Sequence, residues 1–183
     1  MADVLRNSLM YVALPLWSLS GLADWWCHRR TAIERTSGIR ESVFHLVMFA
    51  QMGLAGLAVL LLEVNALVLL LLALLFLLHE ATTWFELRFV HHRRDIIPAE
   101  QMLHSFMELI PLGALAMLAA LHADQLMALL GAGPAEWGLR AKTHPLPASY
   151  IAAALAGILA LNVLPLLEEF FRCWRVAASR QAD

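Results

Sequence analysis

Asp24 and His28 stand four residues apart in Asp24-Trp-Trp-Cys-His28, and Glu41 and His45 repeat that spacing in Glu41-Ser-Val-Phe-His45. His79 and Glu80 adjoin, and Glu100, His104 and Glu108 follow one another at four-residue intervals. On a helix, residues four apart face the same way to within about 40° of rotation. Each string therefore presents oxygen and nitrogen donors on one face. Helical bundles bind transition metals by projecting such pairs inward. One metal takes about four to six ligands. At least four carboxylates and four imidazoles exceed that need, so the pattern suggests two metal ions.

The elements that must position these residues are long apolar helices. Of 183 residues, 61% are hydrophobic and 15% charged, and the mean hydropathy is +0.67. A soluble domain is about 45–50% apolar and roughly 25% charged, so the composition points to an all-α integral membrane protein in a single transmembrane domain, residues 1–183. With a net charge of −2, there is no cationic excess to neutralise phosphates, which argues against nucleic acid as a partner. A spanning helix needs about 20 mostly apolar residues. Five stretches qualify, near residues 10–27, 43–62, 66–89, 102–121 and 148–170. The expected architecture is a metal-binding four-helix bundle of spans one to four, with span five packed outside it. Between spans four and five, glycines and prolines predict a loop with one short interfacial helix near residues 126–130.

The arginines set the expected orientation. Arg29, Arg30, Arg35, Arg40, Arg88, Arg93, Arg94, Arg172, Arg175 and Arg180 fall on one side of a five-span chain, and only Arg6, Arg140 and Lys142 on the other. The N-terminus is thus expected outside and the C-terminus in the cytoplasm, in a bacterial-type inner membrane. The first stretch could serve as a cleaved leader, but Arg6 is the only early cation, and the acid–histidine string at its end argues for retention. On this topology the four acid–histidine clusters meet near the cytoplasmic face. Counting from the flanking arginines, Asp24 and His45 each lie about 8 Å inside, Glu80 about 12 Å and, counted from Ile97, His104 about 10 Å. Cys27 and Cys173 map to the same reducing end, which argues against a disulfide.

At the level of site chemistry the chain resembles the helical-bundle di-iron carboxylate proteins and the integral-membrane non-haem di-iron oxidases and oxygenases. The resemblance covers residues 24–108. The pairs here are acid-x-x-x-His, where the soluble bundles carry Glu-x-x-His. The string Arg88-Phe-Val-His91-His92 lacks the first histidine of the His-x-x-His-His boxes of membrane hydroxylases and desaturases.

From these residues the expected ligands are Asp24, His28, Glu41, His45, Glu80, His104 and Glu108. His79, Glu100, His91 and His92 are held as further ligands or as residues supporting them, and Arg88, Arg93, Arg94 and Trp84 as contacts to substrate or lipid head groups. Mixed carboxylate and imidazole ligands suit iron, which activates oxygen while carboxylates bridge and shift. The expected activity is that of a di-iron oxidase, hydroxylase or desaturase. Its substrate would be a lipid-like or quinone molecule reaching the cytoplasmic side of the bilayer, with an electron donor as partner. Two zinc ions hydrolysing a lipid ester, amide or phosphate form the alternative, and a non-enzymatic metal-binding or transport protein the next.

Blander readings compete with these. The acids could pair with the arginines, and Glu100 follows Pro98 in a first helical turn, where an acid is favoured. Ion pairs do not, however, require a histidine four residues from each acid. His91 and His92 reach the layer only if the chain bends back; otherwise they form a cationic turn. His122, Asp124 and His144 lie on the outer side as interfacial residues. A bis-histidine haem through His45 and His104 leaves the adjacent acids unexplained. A transport path finds little support, because the outer halves of spans two and three are nearly unbroken apolar runs. No His-Glu-x-x-His string or glycine-rich phosphate loop is present.

Overall fold

In the computed structural model, which describes residues 1–182, each helix boundary has a local cause. Helix α1 (Ala2–Ser8) continues through a π turn, Leu9–Ala13, into α2 (Leu14–Thr31). Pro15, which has no N–H to donate, directly follows the π turn in this continuous helical run. At Ala32 the chain takes the left-handed conformation, φ 51°, and a 3-10 turn at Ile33–Arg35 reverses it. Gly38, at φ 67°, supplies a backbone shape that a side chain disfavours, and α3 (Ile39–Leu61) starts there.

Helices α3 and α4 (Ala66–Val90) form a tight hairpin across Glu63, Val64 and Asn65. Asn65 makes the turn: its Oδ1 accepts from Val68 N at 3.1 Å, capping α4, and its Nδ2 donates to the Gly138 carbonyl at 2.7 Å. Pro98 opens α5 (Pro98–Leu121), which also contains Pro111. The short helix α6 (Ala123–Leu129) follows, then the loop to residue 147. Helix α7 (Ala148–Ile158), a second π turn at Leu159–Val163, and α8 (Leu164–Ala182) complete the chain. Among the described residues there is no strand, only an isolated bridge between Leu62 and Ala141.

Four helices are long and apolar enough to cross a membrane: α3, α4, α5 and the run Ala148–Gln181. The expected first span is helical, but it does not join those four. Its α2 portion is less apolar than they are, with Ser18, Ser20, Asp24, Arg29 and Arg30. Side-chain polarity is turned inside out relative to a soluble protein. Leu77 is 61% exposed, whereas Glu41 and Glu100 are 0% exposed. That is the pattern of helices that meet lipid with their outer faces and keep ionisable groups within.

The long helices close into a ring. Helix α2 packs on α5, α5 on α4, α4 on α3, α3 on α8, and α8 on α2. The expected bundle of the first four spans, with the last outside, is therefore corrected: α8 is wedged between α2 and α3. A carboxylate on a membrane helix is stable only where partners meet it. Glu169 of α8, 1% exposed, finds His28 of α2 and His45 of α3. The other end of the ring is apolar: Val64, Val68, Leu69, Leu72 and Leu118 pack there with residues of α3 and α6.

Candidate metal centre

Helix α2 contributes Asp24 and His28, and α5 contributes Glu100 and His104, each pair one helical turn apart. All four are buried, and one donor atom from each lies within 4.8 Å of the others. His28 Nε2 stands 3.4 Å from Asp24 Oδ2 and 3.4 Å from Glu100 Oε1, and His104 Nε2 stands 3.2 Å from Asp24 Oδ1. His28 Nε2 and Asp24 Oδ1 have no hydrogen-bond partner among the described residues. Donors about 2.0–2.2 Å from a metal are themselves about 3.0–3.5 Å apart. The three spacings given fall within that range, and this buried Asp/His/Glu cluster could hold a metal ion.

Glu169 orients two of the imidazoles. His28 Nδ1 lies 2.9 Å from Glu169 Oε2, and His45 Nδ1 lies 2.7 Å from Glu169 Oε1. The two rings stack with centroids 4.5 Å apart and planes 8° from parallel. The Nε2 of His28 lies toward Asp24 and Glu100, and that of His45 toward Glu86 Oε1 at 3.3 Å. A carboxylate on one ring nitrogen that frees the other as a ligand is the usual support of a metal-binding histidine.

Arg94, in the turn between α4 and α5, reaches inward until its side chain is 4% exposed. Its guanidinium pairs with Glu41 and Glu100 through several N–H groups, with Nη1 donating to Glu100 Oε2 at 3.0 Å and Nε to Glu41 Oε1 at 3.1 Å. Burial opposes the Arg94 charge, but the hydrogen bonds it donates to Glu100 and Glu41 outweigh it and raise its pKa. Asp24, Glu41, Glu86, Glu100 and Glu169 are five buried carboxylates, of which Glu41 and Glu100 meet this guanidinium.

A cavity of about 100 Å³ adjoins the cluster. Asp24, His28, His45, Glu86 and His104 line one part of it, and apolar side chains including Met48, Phe49 and Leu166 line most of the rest. It lies among the ring helices, so a hydrophobic molecule held there would meet the cluster directly.

Against the expected ligand set, the structure brings together Asp24, His28, His45, His104 and the supporting Glu100. Glu41 also comes near His28 and His45, but Arg94 and the Ser37 hydroxyl already occupy its oxygens. Glu80 is corrected. The buried stripe of α4 runs through His79, Thr83, Glu86 and Val90, and Glu80 is one position, about 100°, off it. Glu108 lines the cavity one turn beyond His104 but stays outside both donor groups. His79 is buried and lines the cavity, with Nδ1 unpartnered among the described residues. His91 and His92 also lie outside both groups. Helix α4 ends at Val90, and the two rings lie against each other, exposed, in the following turn. Arg88 and Trp84 stack on each other, the guanidinium 4.7 Å from the exposed indole ring, and Arg93 packs over Phe89. Arg94 is turned away from any head group, into the acids.

Two site residues were missed from the sequence, Glu86 and Glu169. Glu86 was detectable, since it stands seven residues after His79 and three after Thr83, the spacing of one helical face. Glu169 stands seven after Asn162 and four before Cys173, both buried, so the same periodicity marked it. Its role depended on α8 entering the ring. No family model matches this chain, and neither a curated protein nor a solved structure was found to match it.

Proposed function

We propose that the chain is a membrane-embedded metalloenzyme that binds two metal ions, iron in the first place, and oxidises a hydrophobic lipid-like or quinone substrate near the cytoplasmic face. One observation carries the reading. Unpartnered donors of Asp24 and His28 face Glu100 and His104 at ligand spacing, beside a cavity that is mostly apolar. Asp24, His28, Glu100 and His104 would hold one ion, and His45 with Glu86 would hold the second. When bound, iron supplies oxygen activation and electron transfer. The chain does the rest. Glu169 fixes the tautomer and direction of two imidazoles, Arg94 holds Glu41 and Glu100 in place, and Met48, Phe49 and Leu166 keep water from the substrate side. Electrons would come from a donor on the arginine-rich side, read as cytoplasmic by the distribution of positive charge.

The four-residue group also favours a second reading. A closed set of four N and O donors suits tetrahedral zinc, and zinc would turn the same cavity to hydrolysis of a lipid. Elemental analysis and an absorption spectrum of detergent-purified protein decide between them. About two irons per chain without a Soret band supports the oxidase, and zinc with activity retained in the absence of oxygen supports the hydrolase. His28→Ala and His104→Ala should each abolish tight metal binding. Protein without metal after gentle purification would leave only an ion-paired polar layer and end both readings.

A further inference from the structure

The cavity has a second polar place, away from the cluster. Trp17 and Asn162 both line it. Trp17 stands seven residues before Asp24 on α2, and Asn162 seven before Glu169 on the run that becomes α8. Each therefore lies about 10 Å along its helix from the cluster, toward the outer side. Trp17 Nε1 and Asn162 Oδ1 are buried and have no hydrogen-bond partner among the described residues. Asn162 is 7% exposed. Apart from the cluster residues and His79, the cavity wall is largely apolar.

Asn162 is built into this position. It falls in the π turn Leu159–Val163, an irregularity that recurs at functional sites. Its Nδ2 donates to the Ser18 carbonyl at 2.9 Å, next to Trp17 in the chain. Gly21 makes room for it, because a Cβ there would stand 2.8 Å from Nδ2. A carbonyl only accepts, so the amide nitrogen must face Ser18 and Oδ1 must face away as an acceptor. Trp17 Nε1 only donates, and its ring is fixed by stacking on Phe49 at 6.3 Å. Trp17 and Asn162 therefore each bring one unused hydrogen-bonding atom to this part of the cavity, a donor and an acceptor.

We propose that Trp17 and Asn162 bind a hydroxyl group of the substrate, which donates to Asn162 Oδ1 and accepts from Trp17 Nε1. A carbonyl or ether oxygen would satisfy Trp17 alone, and a hydrocarbon neither. The substrate class is thereby narrowed from lipid-like to an alcohol, with its hydroxyl held about 10 Å from the cluster. This rests on the reading of the cluster as a metal centre only for what happens to the substrate there, not for the binding.

Equilibrium binding of radiolabelled dodecanol and of dodecyl methyl ether to the purified protein in nanodiscs tests it, with metal content measured on every sample. The wild type should prefer the alcohol over the ether by about ten- to a hundredfold. Asn162→Leu should remove that preference by weakening the alcohol alone. Trp17→Phe should weaken both ligands, because both accept from the indole. Gly21→Ala, which displaces Asn162 without altering its chemistry, should act like Asn162→Leu. An alcohol-to-ether ratio near one in the wild type, or a ratio unchanged in both Asn162→Leu and Gly21→Ala, overturns the proposal and leaves the place to water. Preference without metal in the wild type would refute the metalloenzyme reading alone; metal without preference would refute this inference alone.

Discussion

Glu169 serves two imidazoles with one carboxylate, and this divides its chemistry from that of a glutamine. An amide at this position would accept through one atom and donate through the other, so one of the two Nδ1–H groups would meet an N–H. Glu169→Gln should therefore weaken metal binding by about ten- to a hundredfold, read by competition with a chelator, with helix content unchanged. Wild-type affinity would remove Glu169 from this role. Arg94 is tested differently, because it balances charge. Arg94→Met leaves Glu41 and Glu100 buried without their cation, a change of about 3–5 kcal/mol in stability. The double variant Arg94→Met/Glu41→Gln should recover part of that loss in a detergent melting experiment. Equal melting of the single and double variants would show that the acids do not depend on Arg94.

At the scale of the helix, one position of rotation separates two glutamates with opposite expectations. Glu86 lies on the buried stripe of α4 with His79 and Thr83, and Glu80 does not. Glu86→Gln should lower metal content while Glu80→Gln leaves it near wild type; the reverse result would mean that α4 is turned relative to its neighbours. The α3–α4 hairpin makes a pH prediction. The Thr143 backbone N–H and hydroxyl both donate to Glu63 Oε1 at 2.7 Å, and these bonds hold the Glu63 carboxyl below its ordinary value of 4.5. A lowered folded-state pKa stabilises the closed loop above the ordinary value, and that stabilisation is lost as pH falls through the lowered one. Hydrogen exchange at Thr143, corrected for its intrinsic pH dependence, should show lost protection below pH 4.5. In Glu63→Gln protection should already be weak above that pH, with little further change in acid.

For the whole molecule, the ring order α2–α5–α4–α3–α8 makes the last helix part of the site. A chain ending at Pro147 retains every ligand expected from the sequence but lacks Glu169. It should fail to hold metal even where it inserts as a helical protein, and co-expression with residues 148–183 should restore binding. Metal retained by the shortened chain would show that α2–α5 are sufficient, as in the four-helix arrangement.

What the sequence alone determined is the part governed by local rules. Apolar runs and their breaks at Glu63–Asn65 and Pro98 specify the long helices, because helix formation and burial in lipid depend on residues near in sequence. Four-residue spacing placed Asp24 with His28 and Glu100 with His104, because both partners share one rigid helix. Tertiary structure decided the rest. Whether α4 presents Glu80 or Glu86 depends on its rotation against α3 and α5. Arg94 turns toward Glu41 and Glu100, fifty-three and six residues away in the chain, only once α3 and α5 have both packed against α4. Glu169 joins His28 and His45 across separations of 141 and 124 residues. No spacing rule reaches that far, since the contact exists only after five helices have closed around a shared set of charges.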